Sequence, residues 1–144
     1  MAELRLVPSG SAGTLVDTNV LLDIATDDPK WADWSAEALA EAHERGRVVI
    51  NPIIYAEVSV GYDSIEDLDE ALPVTDIERE NLPYVAGFLA GKAYVAYRKR
   101  GGSKRSPLAD FYIGGHAAVS SYDLLTRDVS RYRTYFPTVT LIAP

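Results

Sequence analysis

Short apolar segments alternate with longer amphipathic segments along this chain. The apolar segments are too short for helices and are rich in β-branched residues and leucine, so we predict that they are buried strands. They lie at residues 14–16, 47–51, 72–74, 122–126 and 138–142.

The segments between these strands repeat their apolar residues at steps of three and four, which predicts amphipathic helices. Helix-starting residues such as Pro52 and Ser64 precede several of them. We predict helices from residue 17, from Pro29 to about residue 45, and over 52–61, 64–71, 76–100 and 106–120, with an interruption near Pro83 and a turn or short helix at 128–135. Within 76–100, Phe88, Ala93 and Tyr97 are predicted to pack inward. The alternation favours an α/β fold, a parallel sheet of four to five strands covered by helices on both faces.

Acidic residues recur where these elements begin or end. Asp17 ends the first strand, Asp128 follows the strand at 122–126, and Asp110 lies in the first turn of its helix. Glu57 is a lone acid in the apolar segment 48–60, so its helix is expected to be buried on most sides. Since the ligand crevice of a parallel sheet lies beyond the carboxyl ends of its strands, we predict that the four carboxylates meet in one pocket.

Each acid also has an ordinary structural explanation. Asp17 and Asp128 are favoured helix caps, and Asp110 is placed to interact with a helix dipole. Glu57 could belong to an exposed polar stripe, whereas a buried Glu57 would need a partner, a proton or a cation. The recurrence of acids at element ends, rather than any one of them, favours the shared pocket.

Clustered carboxylates repel one another, and oxygen-only ligands suit Mg²⁺ or Mn²⁺. The chain has no cysteine and only two histidines, which disfavours zinc. His116 falls on a different face of its helix from Asp110 and is predicted to be structural, as is His43. Asp23 shares a helix face with Asn19 and could support the site without binding the metal, but a solvated Asp23 is favoured.

The charge of the chain is unevenly distributed. Its formal net charge is −7, yet residues 98–133 hold 8 of the 14 lysines and arginines and only three acids. This asymmetry permits a basic patch on an acidic protein, with a solvated face as the alternative. The length of 144 residues predicts one domain at 13–144 after a flexible lead-in at 1–12. Without a membrane-length apolar segment or a signal peptide, a cytoplasmic protein is expected.

Four segments resemble the acidic motifs of PIN-domain ribonucleases, most closely the VapC toxins of toxin–antitoxin pairs. A lone DTN or TRD would be a weak signal, but four motifs in order over residues 14–142 are fairly specific. Gly114-Gly115 departs from the alanine-like residues usual there, which predicts a loosened helix. The segments are VDTNVLLD at 16–23, NPIIYAEVSVG at 51–61, SPLADFYIGGHAAV at 106–119 and LLTRD at 124–128.

The resemblance implies a Rossmann-like α/β/α sandwich and an endoribonuclease dependent on Mg²⁺ or Mn²⁺, in which metal-activated water hydrolyses RNA, such as tRNA or another structured RNA. It implies a cognate antitoxin and a homodimer as partners. The implied catalytic and metal-binding residues are Asp17, Glu57, Asp110 and Asp128, with Asn19 and Thr126 as auxiliary residues. We further predict phosphate contacts by Lys104, Arg105, Arg127 and Arg131. Tyr132 or Tyr112 could stack on an unpaired base, although core packing is favoured for Tyr112.

Three other functions stay open. A PIN nuclease that is not a toxin would act in RNA processing or on structured DNA, and a neighbouring gene for a short DNA-binding protein would favour the toxin. A catalytically silent PIN fold would bind RNA or protein, and metal-dependent cutting would exclude it. A nucleotide-binding α/β module is disfavoured because Gly101-Gly102 follows no strand.

Overall fold

A computed structural model of the chain describes residues 11–103 and 107–144. Its five strands are β1 (Thr14–Val16), β2 (Val48–Ile50), β3 (Glu78–Arg79), β4 (Asp123–Leu125) and β5 (Leu141–Ile142). They form one sheet in the order β3-β2-β1-β4-β5, and every pair of neighbours is parallel. The predicted α/β class with a central parallel sheet is confirmed.

Helices make every connection between these strands. They are α1 (Thr18–Ala25), α2 (Ala32–Arg45), α3 (Pro52–Ser59), α4 (Ile65–Ala71), α5 (Tyr84–Lys99), α6 (Leu108–Ser120) and α7 (Ser130–Tyr135). Crossovers between parallel strands are right-handed, so the reversal of strand order after β3 places α1–α4 on one face and α5–α7 on the other. Within the described residues, no helix is long and apolar enough to cross a membrane.

The three central strands form the middle of the core. Leu15, Val16, Val49, Ile50 and Leu124 have no exposed surface. Strands covered on both faces are apolar at every position rather than at alternate ones, which explains why β1, β2 and β4 stand out as continuous apolar runs.

The edge strand β3 departs from the sequence prediction. The prediction of a strand at 72–74 is wrong. Leu72 caps the end of α4, and the carbonyl of Pro73 accepts the N–H groups of Asp76 and Ile77 in a turn. The strand that pairs with β2 lies at residues 78–79, and both of its side chains are exposed. A two-residue polar edge strand has no hydrophobic pattern by which to predict it.

The start of α2 also differs from the prediction. Pro29 does not begin the helix, which starts at Ala32. The carboxylate of Asp28 instead accepts the N–H groups of Lys30 and Trp31, both at 2.9 Å, and holds this segment in a turn. A side-chain oxygen here takes the hydrogen bonds that an earlier helix would have used.

Helix α5 begins only after Pro83, so the prediction of helix from residue 76 is wrong in its first part. Ala93 is buried and Tyr97 packs against the core, as predicted. Phe88 is 63% exposed, so the prediction that it packs inward is wrong. The apolar side of α5 that includes Phe88 faces away from the sheet.

Two consecutive glycines let α6 approach its neighbours closely. A Cβ at Gly115 would lie 2.7 Å from the carbonyl oxygen of Ala86 on α5, and a Cβ at Gly114 would overlap the ring of Phe136. These positions therefore need glycine for packing. The glycines thus allow close packing of α6, in place of the loosened helix that the sequence predicted.

The strand order reverses at β1, which lies between β2 and β4. In an open parallel sheet, such a reversal leaves a crevice at the carboxyl ends of the two strands that flank it. Asp17 follows β1 at this edge, and its N–H donates to the carbonyl of Leu125 at the end of β4 (2.9 Å). The crevice is where the candidate site forms.

Candidate metal centre

Asp17 is the most buried acid of the site, with 4% of its surface exposed. It caps α1, and its Oδ1 accepts the N–H of Thr18 at 2.8 Å. Its Oδ2 accepts the hydroxyls of Thr126 (2.8 Å) and Tyr132 (3.0 Å) and, at 3.4 Å, the amide of Asn19. Thr126 and Tyr132 lie 109 and 115 positions from Asp17, so the carboxylate is fixed by the fold and not only by its local turn.

The environment of Asp17 disfavours its negative charge. Burial raises the pKa of the carboxyl to about 6, and the charge of Asp110 acts in the same direction, while the hydrogen bonds from Thr126, Tyr132 and Thr18 oppose the rise. A carboxylate held in this way gains stability from a cation placed beside it. A helix cap alone does not require such burial.

Glu57 reaches the same site from α3. Its Oε1 accepts the hydroxyl of Thr18, the residue next to Asp17, at 2.6 Å. Only Ile54 and Val58 of this helix are buried, and Glu57 is half-buried. The prediction of a helix buried on most sides is wrong, because α3 packs through one face only.

Asp110 lies in the first turn of α6 and is paired with an arginine of this chain. Its Oδ2 accepts a hydrogen bond of 2.8 Å from Nη1 of Arg131 on α7. Both side chains are about one-third exposed (32% for Asp110 and 36% for Arg131), so this ion pair lies at the rim of the crevice.

The phenol of Tyr132 is buried beside Asp17, to which its hydroxyl donates a hydrogen bond of 3.0 Å. Burial raises its pKa well above the ordinary value, and the charges of Asp17, Asp110 and Glu57 raise it further, as does the hydrogen bond to Asp17. The side chain is 2% exposed. The predicted stacking of Tyr132 on a base is therefore wrong, since its ring is enclosed by the core. No sequence signal other than a hydroxyl on a core aromatic residue pointed to its place among the acids.

Asp128 lies beside this group but faces solvent. Its N–H donates to Oγ1 of Thr126 at 3.0 Å, and its Oδ1 accepts the hydroxyl of Ser130 at 3.4 Å. Thr126 in turn donates to Asp17. Asp128 is thus connected to Asp17 through Thr126 and not directly, and its role as a ligand stays a prediction.

Asn19 and Thr126, the two predicted auxiliary residues, both contact Asp17. The amide of Asn19 also donates to Oγ1 of Thr126 at 3.3 Å. Its oxygen accepts the backbone N–H of Arg127 at 3.1 Å. Asn19 therefore connects the start of α1 with the loop after β4, the two segments that enclose Asp17.

Asp23 has a structural role beside the site. It is only 3% exposed, so the prediction that it is solvated is wrong. Its oxygens accept two hydrogen bonds from the guanidinium of Arg127 and one from the hydroxyl of Ser35 (2.8 Å). The same guanidinium lies 5.1 Å from the ring centre of Trp31. This ion pair ties the loop after β4 to α1 and α2.

The predicted phosphate contacts fall into two groups. Lys104 and Arg105 lie outside the described residues. Arg127 and Arg131 are described, and each is hydrogen-bonded to an acid of this chain, Asp23 and Asp110 respectively. Each guanidinium retains further N–H groups, but its charge is already paired with an acid, which weakens its attraction for a phosphate.

His116 lies apart from the acids, as predicted. Its ring has no exposed surface and is held between the amide of Asn51 (3.0 Å) and the carboxylate of Glu80 (2.8 Å). Asn51 also caps α3 through the N–H of Ile54. The contacts support the structural role predicted for His116.

The donor chemistry of the site fits a hard divalent cation. Asp17, Glu57 and Asp110 offer oxygen only, and their shared environment makes a neutralising charge favourable. Among residues 11–103 and 107–144, however, no three side chains of the types His, Cys, Asp and Glu are gathered closely enough to hold one ion. Binding of one ion by all three acids would therefore bring Glu57 and Asp110, which here contact Thr18 and Arg131, closer to Asp17.

The sequence matches the model of one protein family, the PIN domain, over residues 14–137. No protein of curated function matches it significantly. The fold is similar to that of VapBC2 from Rickettsia felis bound to a promoter DNA fragment (TM-score 0.70, 17% identity, 91% of this chain and 98% of the other).

Two further solved structures share the fold. One is VapBC-1 from nontypeable Haemophilus influenzae (TM-score 0.68, 19% identity, 90% of this chain and 96% of the other). The other is VapBC-5 from Mycobacterium tuberculosis, a member of the VapBC family of toxin–antitoxin systems (TM-score 0.54, 19% identity, 92% and 97%). At these identities the likeness establishes the fold alone.

Proposed function

The chain belongs to the PIN-domain family, and on that premise we propose that it is a metal-dependent endoribonuclease, the toxin of a toxin–antitoxin pair. The observation that carries the proposal is the buried Asp17 at the crevice of the sheet, with Glu57 bonded to the adjacent Thr18 and Asp110 at the rim. Acids grouped in this way have an electrostatic cost that a structural role alone does not offset.

The residues of the site divide into ligands and supports. Asp17, Glu57 and Asp110 would hold Mg²⁺ or Mn²⁺, and Asp128 completes the set from the solvent side. Asn19 and Thr126 orient Asp17 through their hydrogen bonds. When bound, the cation supplies the positive charge that activates water and stabilises the phosphate during hydrolysis.

Exposed basic residues close to the site suit an RNA backbone. The last turn of α5 lies beside the first turn of α6, because the rings of Tyr97 and Phe111 are in contact (centres 5.8 Å apart). Arg98, Lys99 and Arg100 occupy this turn and are exposed. We propose that they contact phosphates together with Lys104 and Arg105, which would position the RNA without reading its sequence.

Two protein partners are part of the proposal. The similar folds include a member of the VapBC family of toxin–antitoxin systems, which supports a cognate antitoxin. Helix α5 exposes apolar side chains at Tyr84, Val85, Phe88 and Val95. Exposed apolar surface of this kind favours contact with another protein, and we propose that it takes part in a homodimer.

Replacing Glu57 with glutamine tests the assignment of the acids. We expect Glu57→Gln to lower the rate of RNA cleavage by about 100-fold or more, because it removes a charged ligand of the cation. The amide oxygen can still accept the Thr18 hydroxyl, so the metal-free protein should be as stable as the wild type or more so. Cleavage of RNA with Mn²⁺, Mg²⁺ or EDTA, beside thermal unfolding in EDTA, measures both effects.

Glu66→Gln is the matched control, since Glu66 is an exposed acid on α4. It should cleave at the wild-type rate. A clear loss of stability for Glu57→Gln in EDTA would argue against the acid pocket. Cleavage of DNA rather than RNA would favour a PIN nuclease of another kind, and failure to cut or to bind metal would favour a silent binding fold.

A further inference from the structure

The ion pair between Arg131 and Asp110 places a cation of the chain itself at the metal site. Arg131 immediately precedes Tyr132, whose hydroxyl donates to the buried Asp17 at 3.0 Å. The guanidinium bonded to Asp110 at 2.8 Å therefore lies at the rim of the same group of acids.

We propose that Arg131 is the resident counter-ion of this site: it holds Asp110 while the site is metal-free, and it competes with the divalent cation for that carboxylate. The inference rests on the proposed function, because it concerns the regulation of the same site. It goes beyond the predicted phosphate contact of Arg131, whose charge is paired with Asp110 until that carboxylate is released.

The other described basic residues do not have this position. Within residues 11–103 and 107–144, no other lysine or arginine is ion-paired with Asp17, Glu57 or Asp110. Arg127, the nearest alternative in sequence, uses two nitrogens of its guanidinium on the buried Asp23. Arg131 is thus the described guanidinium that can neutralise the acids in the absence of metal.

The ion pair is suited to release. Both of its side chains are about one-third exposed, and partly exposed ion pairs contribute little to stability, so a divalent cation can displace the arginine. The guanidinium also lies 5.9 Å from the ring centre of Tyr97, which offers it a cation–π contact outside the acid group. Displacement from Asp110 does not leave the charge without a partner.

Competition of this kind lowers the apparent affinity for metal. Arg131 occupies Oδ2 of Asp110 and its positive charge repels a cation that approaches this carboxylate. When the cation displaces the arginine, the stability of that contact is subtracted from the binding free energy. By reciprocity, bound metal frees the guanidinium. The freed side chain is then available to the phosphate of a bound RNA.

Calorimetric titration of purified protein with Mn²⁺ tests the proposal. We expect Arg131→Gln to bind Mn²⁺ about threefold to tenfold more tightly than the wild type, because the competitor is gone. Arg131→Lys retains the charge and should bind with an affinity close to the wild type. Arg133→Gln, an exposed arginine on the same helix, is the matched control for a general change in net charge.

Thermal unfolding in EDTA provides a second measurement on the same proteins. Arg131→Gln should unfold at a lower temperature than Arg133→Gln, because its acids lose their counter-ion, and it should gain more from added Mn²⁺. Equal or weaker Mn²⁺ binding by Arg131→Gln, or the same gain in Arg133→Gln, would overturn the proposal and leave the metal site intact. If no variant bound Mn²⁺, the proposed metal site itself would be wrong.

Discussion

Replacing Asp17 with asparagine is expected to abolish metal-dependent RNA cleavage and to stabilise the metal-free protein at neutral pH. The two effects share a cause, since the carboxylate is buried with its pKa raised to about 6. Relative to the ordinary value of 3.8, a shift of this size destabilises the ionised folded protein by about 3 kcal/mol. Asparagine removes that cost but weakens the bonds from Thr126 and Tyr132, so we expect a net gain of about 1–2 kcal/mol.

The raised pKa of Asp17 also determines how the folding stability changes with pH. Between pH 3.8 and about 6, the folded protein holds a proton on Asp17 that the unfolded chain has already lost. Stability from this group is therefore fully present below pH 3.8 and is lost as the pH rises through about 6. Urea unfolding in EDTA at pH 5 and pH 7 measures the difference.

The comparison of the wild type with Asp17→Asn isolates Asp17, because the two proteins share every other carboxylate. Wild type should lose more stability between the two pH values than Asp17→Asn does. The exposed control Asp33→Asn should follow the wild type. If the wild type and Asp17→Asn had the same pH dependence, the charge on Asp17 would not be destabilised by its surroundings.

Replacing Arg127 with leucine is expected to destabilise the fold by about 3–5 kcal/mol, because it leaves the buried Asp23 without its counter-ion. Asp23 would retain only the hydroxyl of Ser35 as a side-chain donor among the contacts described here. The change in midpoint of urea unfolding measures this cost. Because Arg127 lies between Thr126 and Asp128, the variant should also cleave RNA more slowly.

A double variant separates the lost ion pair from the lost packing of the arginine on Trp31. Adding Asp23→Asn to Arg127→Leu removes the unpaired charge, and most of the lost stability should return. Arg133→Leu, at an exposed position of α7, should change the free energy of unfolding by less than about 1 kcal/mol. A cost of that small size for Arg127→Leu would contradict the role of the ion pair.

The central strands could be predicted from the sequence because both faces of the sheet are covered. Burial on two sides favours a continuous run of buried, mostly apolar residues in β1 and β2, and that run is visible without any structure. Strand β3 lies at the edge with exposed side chains, so nothing in its two residues distinguishes it from a loop.

The residues of the site also divide into those that the local sequence predicts and those that depend on distant parts of the chain. Asp17 could be predicted because it lies at a strand–helix junction, a position that is readable locally. Which face of α3 packs, and therefore how exposed Glu57 is, depends on elements elsewhere in the chain. The contact of Arg127 with Asp23 joins residues separated by 104 positions, and that of Tyr132 with Asp17 joins residues separated by 115. Only the sheet topology brings such pairs together.

The most direct test of the metal site is a crystal soaked in Mn²⁺ and measured for anomalous scattering. We expect one strong peak in contact with the carboxylates of Asp17 and Asp110, with Glu57 turned toward it and Arg131 moved away from Asp110. The peak should be absent in Asp17→Asn crystals. A protein that cleaves RNA with Mn²⁺ while its only peak lies elsewhere would contradict the assignment of these acids, whereas a peak at the acids with Arg131 still on Asp110 would contradict only the counter-ion proposal.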